Sequence, residues 1–190
     1  MLLKEIYVMR KFLFVLIIIT GLKSFSQFGY RKFYITGGIS GQYLTHSKYT
    51  GYDINLTFIP RYNFVELSQE ATFSIEARPQ VGIGFRNWHI DDGQHLIFPK
   101  RMSYAAPVLV NFNWGLYSED NSLYLFGFYI GGGYNYTNVI SNDPLYEAIH
   151  GFAIDAGVHF DGSPISHIGL MYTFGQNGNR VYSFGFYYDF

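Results

Sequence analysis

The 190-residue chain has no cysteine, which excludes a disulfide framework, a thiolate metal site and lipid attachment through a cysteine. Charged residues make up only 14% of the chain, with no basic surplus of the kind that nucleic acid or an anionic lipid surface attracts. After residue 26, no apolar run approaches the roughly 20 residues that a membrane-spanning helix needs. Any membrane span beyond that point must therefore be built from β-strands.

The first residues are typical of an export signal. A basic pair, Arg10-Lys11, precedes an apolar run over 12–20 that is too short to cross a membrane as a helix. We predict a signal peptide over 1–26, with Met9 as a more natural start than Met1, and a single mature domain over 27–190. An N-terminal helical anchor is the alternative. The mature domain would carry 9 basic and 13 acidic residues, a net charge of −4.

Apolar and polar residues alternate in eight segments. In the last segment, Tyr182, Phe184, Phe186, Tyr188 and Phe190 share one face. The opposite face carries Ser183 and Gly185. Each of the seven earlier segments likewise has one apolar face and one face rich in Gly, Ser, Thr and Asn. Period two is the signature of strands, and no sustained helical period follows residue 26. We predict an all-β fold, an eight-stranded antiparallel up-and-down barrel.

Alternation alone does not say which face points inward. A soluble barrel puts its apolar face inside, around a ligand, whereas a transmembrane barrel puts that face in lipid. Tyr and Trp cluster near the strand ends of the apolar face, as at Tyr43, Tyr52 and Trp114, and suit lipid–water interfaces. The side chains of the polar face are mostly small, with a few charged ones among them, which fits a narrow lumen. These features favour the transmembrane barrel.

The predicted connections between strands alternate in length. Those after strands two, four and six are short, at 66–70, 118–122 and 161–164, whereas those after strands three and five are longer, at 87–101 and 141–147. An even number of strands places both termini at one end. We expect that end to be periplasmic and the two long loops to lie outside the cell.

The chain resembles the small eight-stranded outer-membrane barrels of the OmpX kind, especially the β-barrel-domain proteins common in Bacteroidetes. The most specific part is the tail, where Ser183, Gly185, Tyr188 and Phe190 match the C-terminal signal that the barrel-assembly machinery recognises. The segment 105–110 is similar to the proline-containing fourth strand of that group. The resemblance implies an outer-membrane location and the barrel fold, but little about function, because the family is functionally heterogeneous.

Four charged residues fall on the predicted lumen face, far from strand ends: Arg61, Glu76, Arg78 and Asp155. They could line a pore or a proton path. The alternative is an internal salt-bridge network that replaces a hydrophobic core, as a narrow barrel requires, and we favour it.

Histidines offer two further candidate sites. His89, Asp91, Asp92 and His95 lie in the longest predicted loop and could hold a divalent ion, but Asp-Asp-Gly is also ordinary turn chemistry. His159 and His167 face the lumen on adjacent strands, and we expect them to join its polar filling. We therefore predict no metal site and no cofactor.

A lipid A-modifying enzyme would need a serine–histidine pair near the outer rim. His150 faces outward there, but no outward serine lies beside it, and His46-Ser47 is only a loop dipeptide. The sequence therefore predicts a non-enzymatic protein that is structural or acts in surface interaction through its outer loops, possible sites for a protein partner. A subunit of an envelope secretion or uptake assembly and a narrow channel are the alternatives. The expected surroundings are outer-membrane lipid and lipopolysaccharide.

Overall fold

The computed structural model describes residues 33–68, 70–89, 95–115, 125–139, 147–160 and 166–189. These ranges form one antiparallel sheet with a single 3₁₀ turn, Gln176–Gly178. Within them, no helix is long and apolar enough to cross a membrane. The strands are β1 (Phe33–Thr45), β2 (Tyr49–Ser68), β3 (Ala71–Ala77), β4 (Gln80–His89), β5 (His95–Ala105), β6 (Val108–Gly115), β7 (Phe126–Val139), β8 (Ile149–Phe160), β9 (His167–Gly175) and β10 (Arg180–Asp189).

The ten strands form a closed ring of eight, because two positions in the ring are each shared by two strands. β3 pairs with the second half of β2 and β4 with its first half. In the same way, β5 pairs with the second half of β7 and β6 with its first half. β1 pairs with both β2 and β10, which closes the ring. The predicted eight-stranded antiparallel barrel is confirmed. We call the end with the 46–48 turn the upper end and the end with Phe33 and Asp189 the lower end.

Prolines explain the two interrupted positions. Pro79 follows β3 and Pro107 follows β5, and proline has no N–H to donate to a ladder. The neighbouring backbone stays bonded across the gap, because Arg78 N–H donates to the Pro107 carbonyl at 2.8 Å and Phe58 N–H donates to the Pro79 carbonyl at 3.1 Å. The wall is therefore continuous where both ladders are broken.

The apolar face of the sheet points outward. On β2, Ile54 and Leu56 are each 66% exposed, whereas Asn55 between them is 1% exposed. Large apolar side chains cover the outside around the ring, and buried Ser, Thr, Asn and Gln line the inside. This is the arrangement of a transmembrane barrel, because lipid favours an apolar outer surface.

Two predicted connections are wrong in extent. Most of the predicted 87–101 loop is strand, since β4 runs to His89, β5 begins at His95, and these two residues are backbone partners. The 66–70 connection shrinks in the same way, because β2 continues to Ser68. Ladder hydrogen bonds need no apolar alternation, so a hairpin can continue after the pattern stops. Residues 90–94, with Asp91 and Asp92, lie outside the described ranges.

Candidate functional site: the lumen and the upper end

Three of the four predicted lumen charges meet at mid-barrel. Arg78 donates to Glu76 Oε2 from Nε at 3.1 Å and from Nη2 at 2.8 Å. Its Nη1 donates to Asp155 Oδ1 at 3.0 Å, and its Nη2 bonds the other oxygen of Asp155. All three side chains are at most 5% exposed. One guanidinium therefore joins two opposite walls of the barrel, β3 and β8.

Arg61 lies beside this cluster. It is the backbone register partner of Glu76 across the β2–β3 pair, and its guanidinium carbon lies 4.4 Å from the centre of the Tyr34 ring. The two arginines and two carboxylates balance in formal charge. That balance matters because an uncompensated buried charge is strongly destabilising.

Below the charges lies a layer of aromatic rings. The His159 and His167 rings are 5.0 Å apart, Tyr129 is 5.1 Å from His159, and Tyr187 stacks on His167 at 4.5 Å. All four residues are at most 4% exposed. The Arg78 guanidinium carbon is 5.6 Å from the centre of the Tyr129 ring, which connects this layer with the charges above it.

The inward glycines make room for Tyr187, which alternation places on the polar face, and for Tyr129, which sequence reasoning did not identify as a lumen residue. A Cβ on Gly157 or Gly169 would overlap Tyr129, and a Cβ on Gly185 would overlap the Tyr187 ring. The Tyr129 ring therefore lies over the glycines of the next two strands, β8 and β9, and the Tyr187 ring lies over a glycine of its own strand. The signal for this was present as glycines on the polar face of three neighbouring strands.

An apolar cluster occupies the lumen near the upper end. Leu44, Ile149 and Val181, from β1, β8 and β10, contact one another and are at most 1% exposed. Side-chain amides in the lumen also form hydrogen bonds: Gln42 donates to Gln80 at 2.6 Å, and Asn135 donates to the Thr173 hydroxyl at 2.9 Å.

Above this cluster, three connections of the upper end bond to one another. Lys48 forms an ion pair with Glu147, which precedes β8, and the Tyr49 hydroxyl donates to the Glu147 carbonyl at 3.2 Å. Ser47 N–H donates to Asn179 Oδ1 at 3.0 Å, which brings in the β9–β10 turn. Residues far apart in sequence thus fix the turns over the mouth of the barrel.

His46 is the buried titratable group of this end. Lys48 N–H donates to its Nδ1 at 3.2 Å, so Nε2 carries the proton of the neutral ring and lies 3.7 Å from Glu147 Oε2. Burial lowers the pKa of His46, and the nearby Glu147 carboxylate opposes that effect only in part. The Lys48 ammonium lowers the pKa of Glu147. At neutral pH the histidine is therefore uncharged and accepts the turn's hydrogen bond.

Aromatic side chains ring the outer wall near the upper end. The Tyr43 ring lies 4.7 Å from Tyr52 and 6.1 Å from Tyr182, which lies 4.8 Å from Tyr172. Tyrosine suits this position because its ring prefers the lipid interface while its hydroxyl reaches water.

His150 faces outward near this rim, as the sequence predicted. The hydroxyl beside it belongs to a tyrosine, because Tyr134 Oη is 2.5 Å from His150 Nδ1. Among the residues that the structure describes, no group of three or more His, Asp or Glu side chains is placed to hold a metal ion.

The tail residues of the predicted assembly signal divide between the two faces. Ser183 and Gly185 face the lumen, whereas Tyr188 faces outward and is 49% exposed. Phe190 and the predicted signal peptide lie outside the described residues.

No protein-family model matches the chain, and no curated protein sequence matches it. Among solved structures, the chain is similar to Ail, the attachment invasion locus protein of Yersinia pestis, in complex with the heparin analogue sucrose octasulfate. The identity is 14%, the match covers 83% of this chain and 97% of Ail, and the TM-score is 0.51. The chain is also similar to Neisserial surface protein A, at 11% identity over 85% of this chain and 99% of that one, with a TM-score of 0.49. Such identities show the fold alone, and the fold of this chain is that of the small eight-stranded outer-membrane β-barrels.

Proposed function

We propose that the chain is a non-enzymatic outer-membrane β-barrel that acts in surface interaction through the connections of its upper end. An N-terminal signal peptide exports it, and the barrel-assembly machinery inserts it with both mature termini in the periplasm. Its surroundings are outer-membrane lipid and lipopolysaccharide. The fold and the outward apolar face support this location.

The observation that carries the proposal is the filling of the lumen at three levels. The Arg78 ion cluster, the Tyr129–Tyr187 aromatic layer and the Leu44 apolar cluster each lie across the barrel. Barrels of eight strands are just wide enough for side chains to fill. A filled lumen leaves the outer wall and the two ends as the surfaces on which the protein can act.

Conductance tests the filled lumen directly. The purified full chain, reconstituted in planar bilayers beside a porin as the positive control, should give no stable conductance steps. A steady single-channel conductance would contradict the filled lumen and favour a narrow channel. A changed lipid A mass in cells that express the chain would contradict the non-enzymatic role.

Orientation can be tested cleanly because the chain has no cysteine of its own. Ser47→Cys, in the upper turn, should react with a membrane-impermeant maleimide on intact cells. Glu70→Cys, at the lower end, should react only after the outer membrane is opened. The reverse pattern would contradict the proposed orientation.

The surface partner is better sought among proteins and neutral glycans than among sulfated sugars. Ail was solved with a heparin analogue, but here Lys48 is already paired with Glu147 and the mature net charge is −4, which disfavours a polyanion. Cells that display the chain should adhere to a protein or neutral-glycan surface and lose adhesion when 176–179 is replaced by a Gly-Ser segment. Adhesion only to heparin would contradict the charge argument. No adhesion to any surface would contradict the surface role.

A further inference from the structure

A groove runs along the outer wall over β7 to β10. Ala156 causes it, because alanine stands in a register row of larger outward side chains, Ile130, Leu170 and Phe184. Leu170 and Ile130 are 60% and 59% exposed, so the row rises on both sides of Ala156. The wall is therefore indented where its neighbours project.

Two adjoining cavities of about 440 and 460 Å³ make up this groove, and they share Ile130, Ala156 and Leu170. The upper cavity reaches Tyr172, and the lower one reaches Ile168. That distance is four residues of β9, or about 13 Å along an extended strand. One leaflet of the hydrocarbon core is about 15 Å thick. The groove therefore has the length that an acyl chain of a single leaflet needs.

A cation lies near the upper end of the groove. Arg180 faces outward at the start of β10, on the same face as Tyr182, and the Tyr182 ring lies 4.8 Å from the ring of Tyr172. Both tyrosines line the upper cavity. In the part of the wall whose side chains the structure describes, Arg180 is the one cation that faces outward. Arginine and phenol hydroxyls at a membrane interface suit a phosphate group, because each donates hydrogen bonds to its oxygens.

We propose that this face binds a lipid with a net anionic phosphate head group in the leaflet at the upper end, with one acyl chain in the Ala156 groove and the phosphate at Arg180, Tyr172 and Tyr182. Apolar indentation and charge complementarity occur at the same place, and a lipid is the ligand that satisfies both. The proposal goes beyond the surface role and does not depend on it, since the lipid occupies the wall rather than the loops.

Native mass spectrometry of the full-length barrel can measure this binding. The barrel is released from micelles that contain equal amounts of phosphatidylglycerol and phosphatidylcholine with identical chains. The wild type should retain the anionic lipid several-fold more than the zwitterionic one. Arg180→Gln should abolish that preference. Ala156→Leu, which fills the groove, should lower retention of both lipids.

Matched variants keep the test specific. Lys48→Gln removes another upper-end cation, and Val81→Leu enlarges an outward apolar residue on the opposite wall, where Val81 is 55% exposed. Neither should change retention. Folding of each variant is checked by its heat-dependent shift in gel mobility. Equal retention of the two lipids by the wild type would overturn the proposal, and so would an effect of Lys48→Gln as large as that of Arg180→Gln.

Discussion

Replacing Arg78 by methionine tests the interior of the barrel most sharply. The guanidinium makes hydrogen bonds to both Glu76 and Asp155, and all three groups are almost completely buried. Methionine keeps much of the length of the side chain but leaves two carboxylates with only Arg61 to balance them. Breaking a buried pair from one side costs about 3–5 kcal/mol, because the remaining charge stays in a place that water does not reach.

Urea titration of the folded barrel in lipid vesicles gives the measurement. With a denaturant slope of about 2 kcal/mol/M, a loss of about 4 kcal/mol lowers the unfolding midpoint by roughly 2 M. A second variant, Arg78→Met with Asp155→Asn, removes one charge of each sign and leaves Glu76 with its register partner Arg61. We expect it to recover at least half of the lost free energy of unfolding, because the remaining charges are again balanced.

Two results would refute this reasoning. A single variant Arg78→Met that unfolds within about 1 kcal/mol of the wild type would mean that the carboxylates are not confined as the hydrogen bonds indicate. With Asp155→Asn also measured alone, a double variant whose loss equals the sum of the losses of the two single variants would mean that Arg78 and Asp155 do not act as a pair.

Three further predictions concern the wall, the tail and the upper turn. Leu170→Arg, in the middle of β9, should cost about 2–4 kcal/mol more than Leu170→Ala when folding into vesicles is measured, and equal costs would contradict the lipid-facing assignment. Deleting Phe190 should lower outer-membrane levels in cells while refolding in detergent stays nearly normal, because burial of this one side chain contributes only about 1.5–3 kcal/mol; equal loss in both assays would contradict a role in assembly. Because the pKa of His46 is lowered in the folded protein, its contribution to stability is complete above the unfolded pKa of about 6.5 and is lost as the pH falls below it. Exchange of the Lys48 amide, which donates to His46 Nδ1, should therefore rise on acidification in the wild type after correction for the intrinsic rate, but not in His46→Gln. Slower exchange in acid would mean that Glu147 raises the pKa of His46.

Alternation in the sequence was sufficient to predict the ring of strands. On β10, every second residue from Tyr182 to Tyr188 is outward and exposed, and the residues between them face the lumen. The period of a strand is two, so one correctly placed residue assigns the whole strand. The same reasoning placed Arg78 and Asp155 on one face, although it could not predict that a single guanidinium would bind both carboxylates.

Strand ends were predicted less well, because alternation marks only the part of a strand that crosses the apolar layer. β4 and β5 remain paired from Asn87 and Ile97 to His89 and His95, where the sequence pattern indicated a loop over 87–101. Backbone pairing is driven by amide hydrogen bonds, which every residue except proline can make. The alternation also predicts a continuous strand through Pro79 and through Pro107, whereas the structure divides each of them into two strands at the proline.

The composition of the inner face determines how the lumen is filled, and here the sequence contained a signal that parity alone does not use. Tyr129 and Tyr187 are inward, and counting polar against apolar residues treats such tyrosines as exceptions. Gly157, Gly169 and Gly185 remove the side chains that would overlap those rings. A narrow barrel must fill its interior, so a row of inward glycines calls for large inward residues beside it, whose side chains cover the glycines. The inward glycines and tyrosines are thus two parts of one packing solution, and an inward tyrosine in a glycine-rich lumen should be predicted as filling rather than as a break in the pattern.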